Sequence, residues 1–380
     1  MADLSGGSGA LSYEAAGVDI DAADALKRRF DGVVSSEGVP HCAPTNRVGA
    51  FASLVDIDLS RWPRPLFVLK TEEPGSKQVL SVEHGRLDWL AQDLINHLVN
   101  DVAVMGATPC AVLDTIICGK LDQKTVYGLV SGMAAACRDN GCVLVGGETS
   151  EQPGVLPDGR YILQASMLGV VDKDGVIDGE AVREGDAVVA LASNGLHTNG
   201  YSLVRRLMEE RPEAMRETVG GEPFMDALLK PHVAYYPAIR QIVGRFGGAV
   251  HGMAHITGGG IRDNLARVIR NDALAARIDC ASLRMPTIFH EIRRHAGLDD
   301  AQMLRTFNCG AGLVVVVDAV AADAVAGEAR AMGVEAYPVG SIVRRGSGGS
   351  SSSGSTDGSD GSGGSVSSGG AVELVGALPT

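Results

Sequence analysis

Between residues 93 and 101 the chain places Asp93, His97, Asn100 and Asp101. Separations of four, seven and eight residues set these side chains along one face of a helix, and that stretch contains no lysine or arginine. Two readings stand open on this segment alone: a solvated helix surface, or a carboxylate-amide face that holds Mg²⁺ together with phosphate oxygens. Glu148 follows an apolar stretch through Gly146 and Gly147 and precedes Thr149. A carboxylate just past a strand end sits where α/β proteins bind ligands, although Gly-Gly also marks ordinary turns. The segment KTEEPGSK (70–77) brings Lys70, Glu72, Glu73, Gly75, Ser76 and Lys77 after another strand, as a site or as surface decoration. In SNGLHTNG (193–200), His197 and Asn199 lie between a strand end and a helix start, a position that favours anions. A single histidine is more often structural, but this one is flanked by Asn-Gly pairs and has Leu196 as its one apolar neighbour. Thr257 precedes Gly258, Gly259 and Gly260 at another helix start, where successive N–H groups can cradle phosphate. Neither G-x-x-x-x-G-K-[ST] nor a post-strand G-x-G-x-x-G occurs, which argues against P-loop and nicotinamide folds. Cys309 has no neighbouring base and reads as a buried thiol.

The elements that must carry these groups alternate. Residues 65–70, 110–118, 142–146, 186–192 and 312–317 read as buried strands. Residues 87–105, 122–138, 200–210, 231–246, 260–270, 285–296 and 319–331 read as helices. The expected fold is α/β (α+β type), with one mixed sheet and flanking helices in each half. The polar, turn-rich stretch near 170–185 separates an N-terminal domain, 1–172, from a C-terminal α/β domain, 173–345. Of residues 346–370, 21 of 25 are Gly or Ser. Such a stretch buries too little apolar surface to offset its ordering entropy, so 346–380 is predicted to be a disordered tail. The final AVELVGALPT is either a loose end or a short docking peptide, the loose end being favoured.

Composition excludes several classes. A net charge of −13 argues against nucleic acid and anionic membranes as partners. The seven cysteines form no C-x-x-C pair, so reduced thiols are expected rather than disulfides or a metal ribbon. No long charge-free apolar run occurs, and the first residues do not read as a signal peptide, so a cytoplasmic location is expected. Fifty glycines among 380 residues, about 13% against a usual ~7%, call for linkers or for backbone that approaches a ligand closely.

Six segments in order give the chain a resemblance to the phosphoribosylformylglycinamidine cyclo-ligase (aminoimidazole ribonucleotide synthetase) family. They are SYEAAGVDIDA (12–22), DLINHLVNDVAVMGATP (93–109), GGETSEQPG (146–154), SNGLHTNGYSLVR (193–205), MAHITGGGIRDNLARV (253–268) and RTFNCGAGLVVVV (305–317). The resemblance implies a homodimer of two-domain subunits whose N-terminal sheets pair, with the active site between the domains. It also implies the reaction: formylglycinamidine ribonucleotide plus ATP gives aminoimidazole ribonucleotide, ADP and phosphate, with Mg²⁺ as cofactor. ATP phosphorylates the amide oxygen, the amidine nitrogen closes the ring, and phosphate leaves. On this resemblance Gly17, Val18, Asp19, Glu72, Gly75, Ser76, Asn100, Asp101, Gly146, Gly147, Glu148 and Thr149 bind nucleotide, while Glu72, Asp93 and Asp101 hold the metal. His197, Asn199, Thr257 and Gly258 to Gly260 bind substrate; His197, Asp93 and Lys77 are the catalytic candidates. The chain departs from the family where T-D-G-V-G-T-K becomes Thr71-Glu72-Glu73-Pro74-Gly75-Ser76-Lys77, where G-G-F-G-A-L is reduced to RVGAFASL (47–54), and in the Gly/Ser tail. The alternatives are another ATP-dependent phosphotransferase of the same superfamily, or a non-catalytic nucleotide-binding paralogue.

Overall fold

A computed structural model describes residues 25–26, 28–30, 32–33, 39, 41–46, 49–345 and 371–380. Gly17, Val18 and Asp19, and the Gly/Ser stretch 346–370, lie outside the described residues.

The strands are β1 (Cys42–Pro44), β2 (Val55–Ile57), β3 (Pro65–Glu72), β4 (Thr108–Cys118), β5 (Val143–Glu151), β6 (Tyr161–Asp172), β7 (Ala187–Ala192), β8 (Thr218–Val219), β9 (Glu222–Pro223), β10 (Val250–His255), β11 (Leu274–Asp279), β12 (Ala311–Val317), β13 (Ala336–Arg344) and β14 (Val372–Val375). The helices used below are α1 (Lys77–Glu83), α2 (Leu87–Ala103), α3 (Gln123–Asp139), α4 (Tyr201–Glu210), α5 (Phe224–Leu229), α6 (Tyr236–Phe246), α7 (Gly260–Ala266), α8 (Thr287–Ala296), α9 (Asp300–Thr306) and α10 (Ala322–Ala331).

The first sheet runs β3-β6-β4-β5, antiparallel except for the β4–β5 pair. Helices α2 and α3 bury Leu94, Leu98, Leu129 and Met133 against Ile116, Leu163 and Met167 of its inner face. The register sets Leu69 opposite Leu168 and Leu113 opposite Ser166. Side chains alternate along a strand, so Phe67, Leu69, Leu113 and Ile162 share the other face, where all four are exposed. Helix α3 starts where the Asp122 carboxylate accepts the Thr125 N–H, satisfying a donor the first turn leaves unpaired.

The second sheet has the order β10-β12-β7-β13-β11-β14. Its interior strand β12 (AGLVVVV) is buried along its whole length. Leu313, Val315 and Val317 face α6 and α10 and join the core of the first half, while Val314 and Val316 face Phe289 and Phe307 on the other side. Covered on both faces, the strand reads as a continuous apolar run. One apolar core therefore spans both halves, uniting Leu94 and Leu98 with Leu191 and Leu313.

Four expectations need correction. Residues 371–380 are not a loose end: β14 pairs in parallel with β11, and Val372, Leu374 and Leu378 are buried. Its V-E-L-V alternation gives one apolar face for the sheet edge. Lys77 does not belong to a surface loop but is the fully buried first residue of α1. The strand before Glu148 does not end at Gly146; β5 continues to Glu151 because its parallel ladder with β4 continues to Cys118. Residues 231–235 precede α6 in an irregular stretch rather than starting that helix. No helix among the described residues is long and apolar enough to cross a membrane.

Candidate active site

Helix α2 uses most of its polar stripe to bind segment 230–235 of the second half. Asp93 accepts hydrogen bonds from Lys77 Nζ at 2.7 Å and from the His232 backbone N–H at 2.8 Å. Asn96 donates to the His232 carbonyl at 2.7 Å. Asn100 donates to the Val233 carbonyl and accepts from the Tyr235 N–H, each at 2.9 Å. Lys77 Nζ also donates to the Lys230 carbonyl at 2.7 Å and lies 5.5 Å from the centre of the Tyr201 ring. Burial pushes the Asp93 carboxyl up and the Lys77 ammonium down, each opposed by its partner. The short charge-assisted bond holds the two as an ion pair. These contacts give three residues that the sequence singled out as ligands or catalysts a structural task as well. Asp93 and Lys77 neutralise each other inside the junction, and the Asn100 amide is spent on backbone groups. None of the three presents a free ligand atom to a metal or nucleotide, save one buried Asp93 oxygen without a hydrogen-bond partner.

The other two expected metal ligands do converge. Lys70 Nζ sits 2.6 Å from Glu72 and 3.0 Å from Asp101. His97 Nε2 lies 3.8 Å from each of those carboxylates, and its Nδ1 faces the Thr198 hydroxyl at 3.2 Å. Two carboxylates from different elements thus aim at one positively charged point. Desolvation alone would lower the Lys70 ammonium, but the paired acids raise it. Burial alone would raise Asp101, yet its hydrogen bond from His255 and the cations around it hold it well below the usual carboxylate range. This donor set fits a hard cation such as Mg²⁺, which takes one or two carboxylates and completes its shell with phosphate and water.

Beneath this pair lie His97, His197, His232 and His255, all buried. His197 and His232 stack at 4.0 Å between ring centres, and His232 Nε2 meets His255 Nε2 at 2.8 Å. The Nδ1 of His255 donates to Asp101 at 2.7 Å, since the carboxylate can only accept. Neither ring nitrogen of His197 has a hydrogen-bond partner, and neither does Nδ1 of His232. His197 also holds a left-handed φ of 61°, which costs a residue with a Cβ and is concentrated at functional sites. Burial pushes the imidazoles of His197 and His232 well below their usual range and His97 down to about 4.

The glycine loops meet beside His197. An added Cβ on Gly75 would touch the Thr198 carbonyl, and one on Gly258 would touch Asn199 Oδ1. The Asn199 amide nitrogen is buried without a partner. Asn264 ties the turn by donating to the carbonyls of Thr257, Gly258 and Gly260. Gly260 is required for packing as well, because a Cβ there would run into the Leu304 backbone.

Gly146, Gly147, Glu148 and Thr149 lie elsewhere. They line a cavity of about 710 Å³ on the exposed sheet face with Phe51, Leu69, Leu113 and Asp114, and none of Glu72, Asp101 or His197 lines it. A Cβ on Gly147 would lie 2.6 Å from the Asp114 carboxyl carbon, so glycine lets the two strands carry that side chain between them. Desolvation pushes Asp114 up to about 7, and the nearby Glu148 charge adds to the effect. Sequence reasoning missed Asp114, His232 and His255. Only His255, two residues before Thr257, had a local signal.

Residues 64–171 match the family described as AIR synthase related protein, N-terminal domain, and residues 183–351 match its C-terminal domain. A hydrogenase maturation protein, HypE, solved in complex with ATP, shares the fold with a TM-score of 0.58 at 16% identity, over 84% of this chain and 87% of that one. Fold and domain matches thus define a two-domain protein of the AIR synthase related class. The phosphoribosylformylglycinamidine cyclo-ligase of Aromatoleum aromaticum is 39% identical over 342 residues, which is 90% of this chain and 97% of that protein. That of Bordetella petrii is 38% identical over 341 residues, with the same coverage. The chain belongs to the phosphoribosylformylglycinamidine cyclo-ligase family.

Proposed function

We propose that this protein is an ATP-dependent ligase that closes formylglycinamidine ribonucleotide to aminoimidazole ribonucleotide in purine biosynthesis. The observation that carries this reading is the match at 39% identity over 97% of a relative of that name. The junction between halves supports it, with opposed charges and orphaned imidazoles where a small anionic substrate needs both.

An amide oxygen is a poor leaving group. Transfer of the ATP γ-phosphoryl to that oxygen makes it one; the amidine nitrogen then attacks the same carbon, and phosphate departs with ADP already formed. Such a reaction asks for positioning and charge neutralisation. Glu72 and Asp101 would hold Mg²⁺, which supplies charge neutralisation to the nucleotide phosphates. Lys70 shares that carboxylate pair and offers an ammonium to an incoming phosphoryl oxygen. His197, its imidazole kept unprotonated by burial, takes the proton released as the ring closes. Asn199, Thr257 and the Gly258–Gly260 backbone hold the ribose phosphate. Asp93 and Lys77 act at one remove by fixing segment 230–235. Gly146–Thr149 contribute to nucleotide binding from their cavity, whose volume lies within the ~300–1,000 Å³ typical of small-molecule pockets.

The exposed apolar face around Phe67, Leu69 and Leu113 supports pairing of the N-terminal sheets in a homodimer. The expected location is the cytoplasm. The test is an assay of the purified chain with formylglycinamidine ribonucleotide, ATP and Mg²⁺, following aminoimidazole ribonucleotide and ADP. Both products should form in equal amounts, and His197→Asn should lower kcat by at least about 100-fold. Nucleotide binding without product would overturn the enzyme reading in favour of a binding paralogue.

A further inference from the structure

We propose that His197, His232 and His255 form a binding site for a zinc-class divalent cation, separate from the carboxylate pair that suits Mg²⁺. One ligand nitrogen from each ring lies within 4.8 Å of the others. Imidazole ligands on a four-coordinate zinc, at 2.0–2.1 Å from the metal, sit about 3.3 Å apart, so the His232–His255 pair, now 2.8 Å apart, must open slightly while the His197 nitrogen closes on it. Three imidazole nitrogens select a borderline ion such as Zn²⁺, Co²⁺ or Ni²⁺ over Mg²⁺ or Ca²⁺, which prefer oxygen.

The second observation is the bare nitrogens. His197 is fully buried with neither ring nitrogen paired, and Nδ1 of fully buried His232 is also unpaired. Buried polar atoms are almost always satisfied, and His197, with no partner on either nitrogen, marks a place where one is missing; the ligand nitrogen of His232 is Nε2, which now meets His255.

The surroundings add the outer support that metal-bound histidines carry. The Nδ1 of His255 donates to Asp101 at 2.7 Å, which orients the ring and turns Nε2 toward the other two histidines. Lone pairs lie in the ring planes, and His197 and His232 stack with only 25° between planes. One of these rings must therefore turn as the ion enters, and the hydrogen bond between His232 and His255 is replaced by two bonds to the metal. His97 stays outside the set, because its Nδ1 faces Thr198 and its Nε2 faces Glu72 and Asp101. Binding does not rest on the proposed activity. On the reading of His197 given above, occupancy removes the base, so a bound ion and turnover exclude one another.

The experiment titrates the full chain, stripped with a chelator, with Co²⁺ and then Zn²⁺. Expected is one ion per chain, the intense visible d–d absorption of four-coordinate cobalt, and its loss as Zn²⁺ displaces it. Asp101→Asn, which leaves all three ligands in place, should weaken Zn²⁺ binding by about 10–100-fold. His232→Asn should weaken it at least as much, and His84→Asn, at an exposed position, should change nothing. A pale six-coordinate spectrum for the unsubstituted chain overturns the proposal, whatever the variants do. So does a near-ultraviolet cobalt-thiolate band, which would put the ion on cysteine, or unchanged affinity in a folded His232→Asn. In those cases the orphaned nitrogens belong to substrate contacts.

Discussion

Asp93→Asn tests whether the polar stripe of α2 is a structural tie or a metal site. The substitution keeps the side-chain volume and an oxygen for the His232 N–H, and it removes only the charge opposite Lys77. The Lys77 ammonium, 0% exposed, is left with the Lys230 carbonyl, the Tyr201 ring and a neutral amide oxygen where the carboxylate stood. Removing one partner of a buried pair costs about 3–5 kcal/mol, a large part of the ~5–15 kcal/mol that holds a domain together. The retained oxygen argues for the lower end, about 3 kcal/mol. Urea unfolding followed by tryptophan fluorescence suits the measurement, since Trp89 lies on α2 itself. Adding Lys77→Met removes the stranded charge and should return stability to within about 1 kcal/mol of the parent. A pH series separates this account from simple loss of packing. In the single variant the lysine pKa is lower folded than unfolded, so above neutrality the unfolded chain binds more protons and stability rises with pH. A single variant within 1 kcal/mol of the parent, or one whose deficit is flat between pH 7 and 10, would refute the reasoning. Activity should fall in step with stability, contrary to what a metal ligand would give.

Two further perturbations follow. Ending the chain after Arg345 removes β14 and bares the β11 edge, so it should cost at least the ~1.5–3 kcal/mol of one buried aliphatic side chain and promote association; an unchanged urea midpoint and a single sharp species on gel filtration would count against this. Asp114 titrates at about 7 when folded against 3.8 for an ordinary aspartate. Its folded pKa is raised, so its contribution is fully present below about pH 4 and lost as pH rises through 7. Asp114→Asn should abolish that decline, worth up to about 4 kcal/mol, and equal pH dependence of the urea midpoints between pH 4 and 8 would refute the assignment.

The sequence carried the fold where burial leaves a period. The valines of β12 show as a continuous run because helices cover both faces, and α2 shows because Leu90, Leu94 and Leu98 recur on one side. Strand β10 (VHGMAH) escaped because two histidines and a glycine hide a segment that is buried at every residue. Strand β6 alternates as a half-covered strand should, but Gln164 and Ser166 on its open face break its apolar residues into short pieces. At the site, the motifs singled out His197 by its loop before a helix, Glu72 by its strand end and Asp101 by its place on the polar face of α2. They could not show which residues of the α2 polar stripe tie down segment 230–235 and which face Lys70 and His255. That division depends on which backbone packs against each turn of the helix, which only tertiary structure decides. His232 is invisible locally for the same reason: its stretch reads as the start of a helix, and its histidine matters because Asp93 and Asn96 grip its backbone ahead of that helix.

Strand β14 has one more consequence. Arg344 lies opposite Leu274 on one side of β11, and Val372 lies opposite Ala276 on the other. Two strand spacings, about 10 Å, therefore separate the points that residues 346–370 must join. A handful of residues would span that gap. Lengthening the connection from about five residues to 25 adds only about 1.4 kcal/mol of closure entropy. The strand is in effect a ligand supplied by its own receptor. Its affinity for the β11 edge resides in Val372, Leu374, Leu378 and the ladder. Changes in tether length should therefore move the docking equilibrium far less than changes in any of those three side chains.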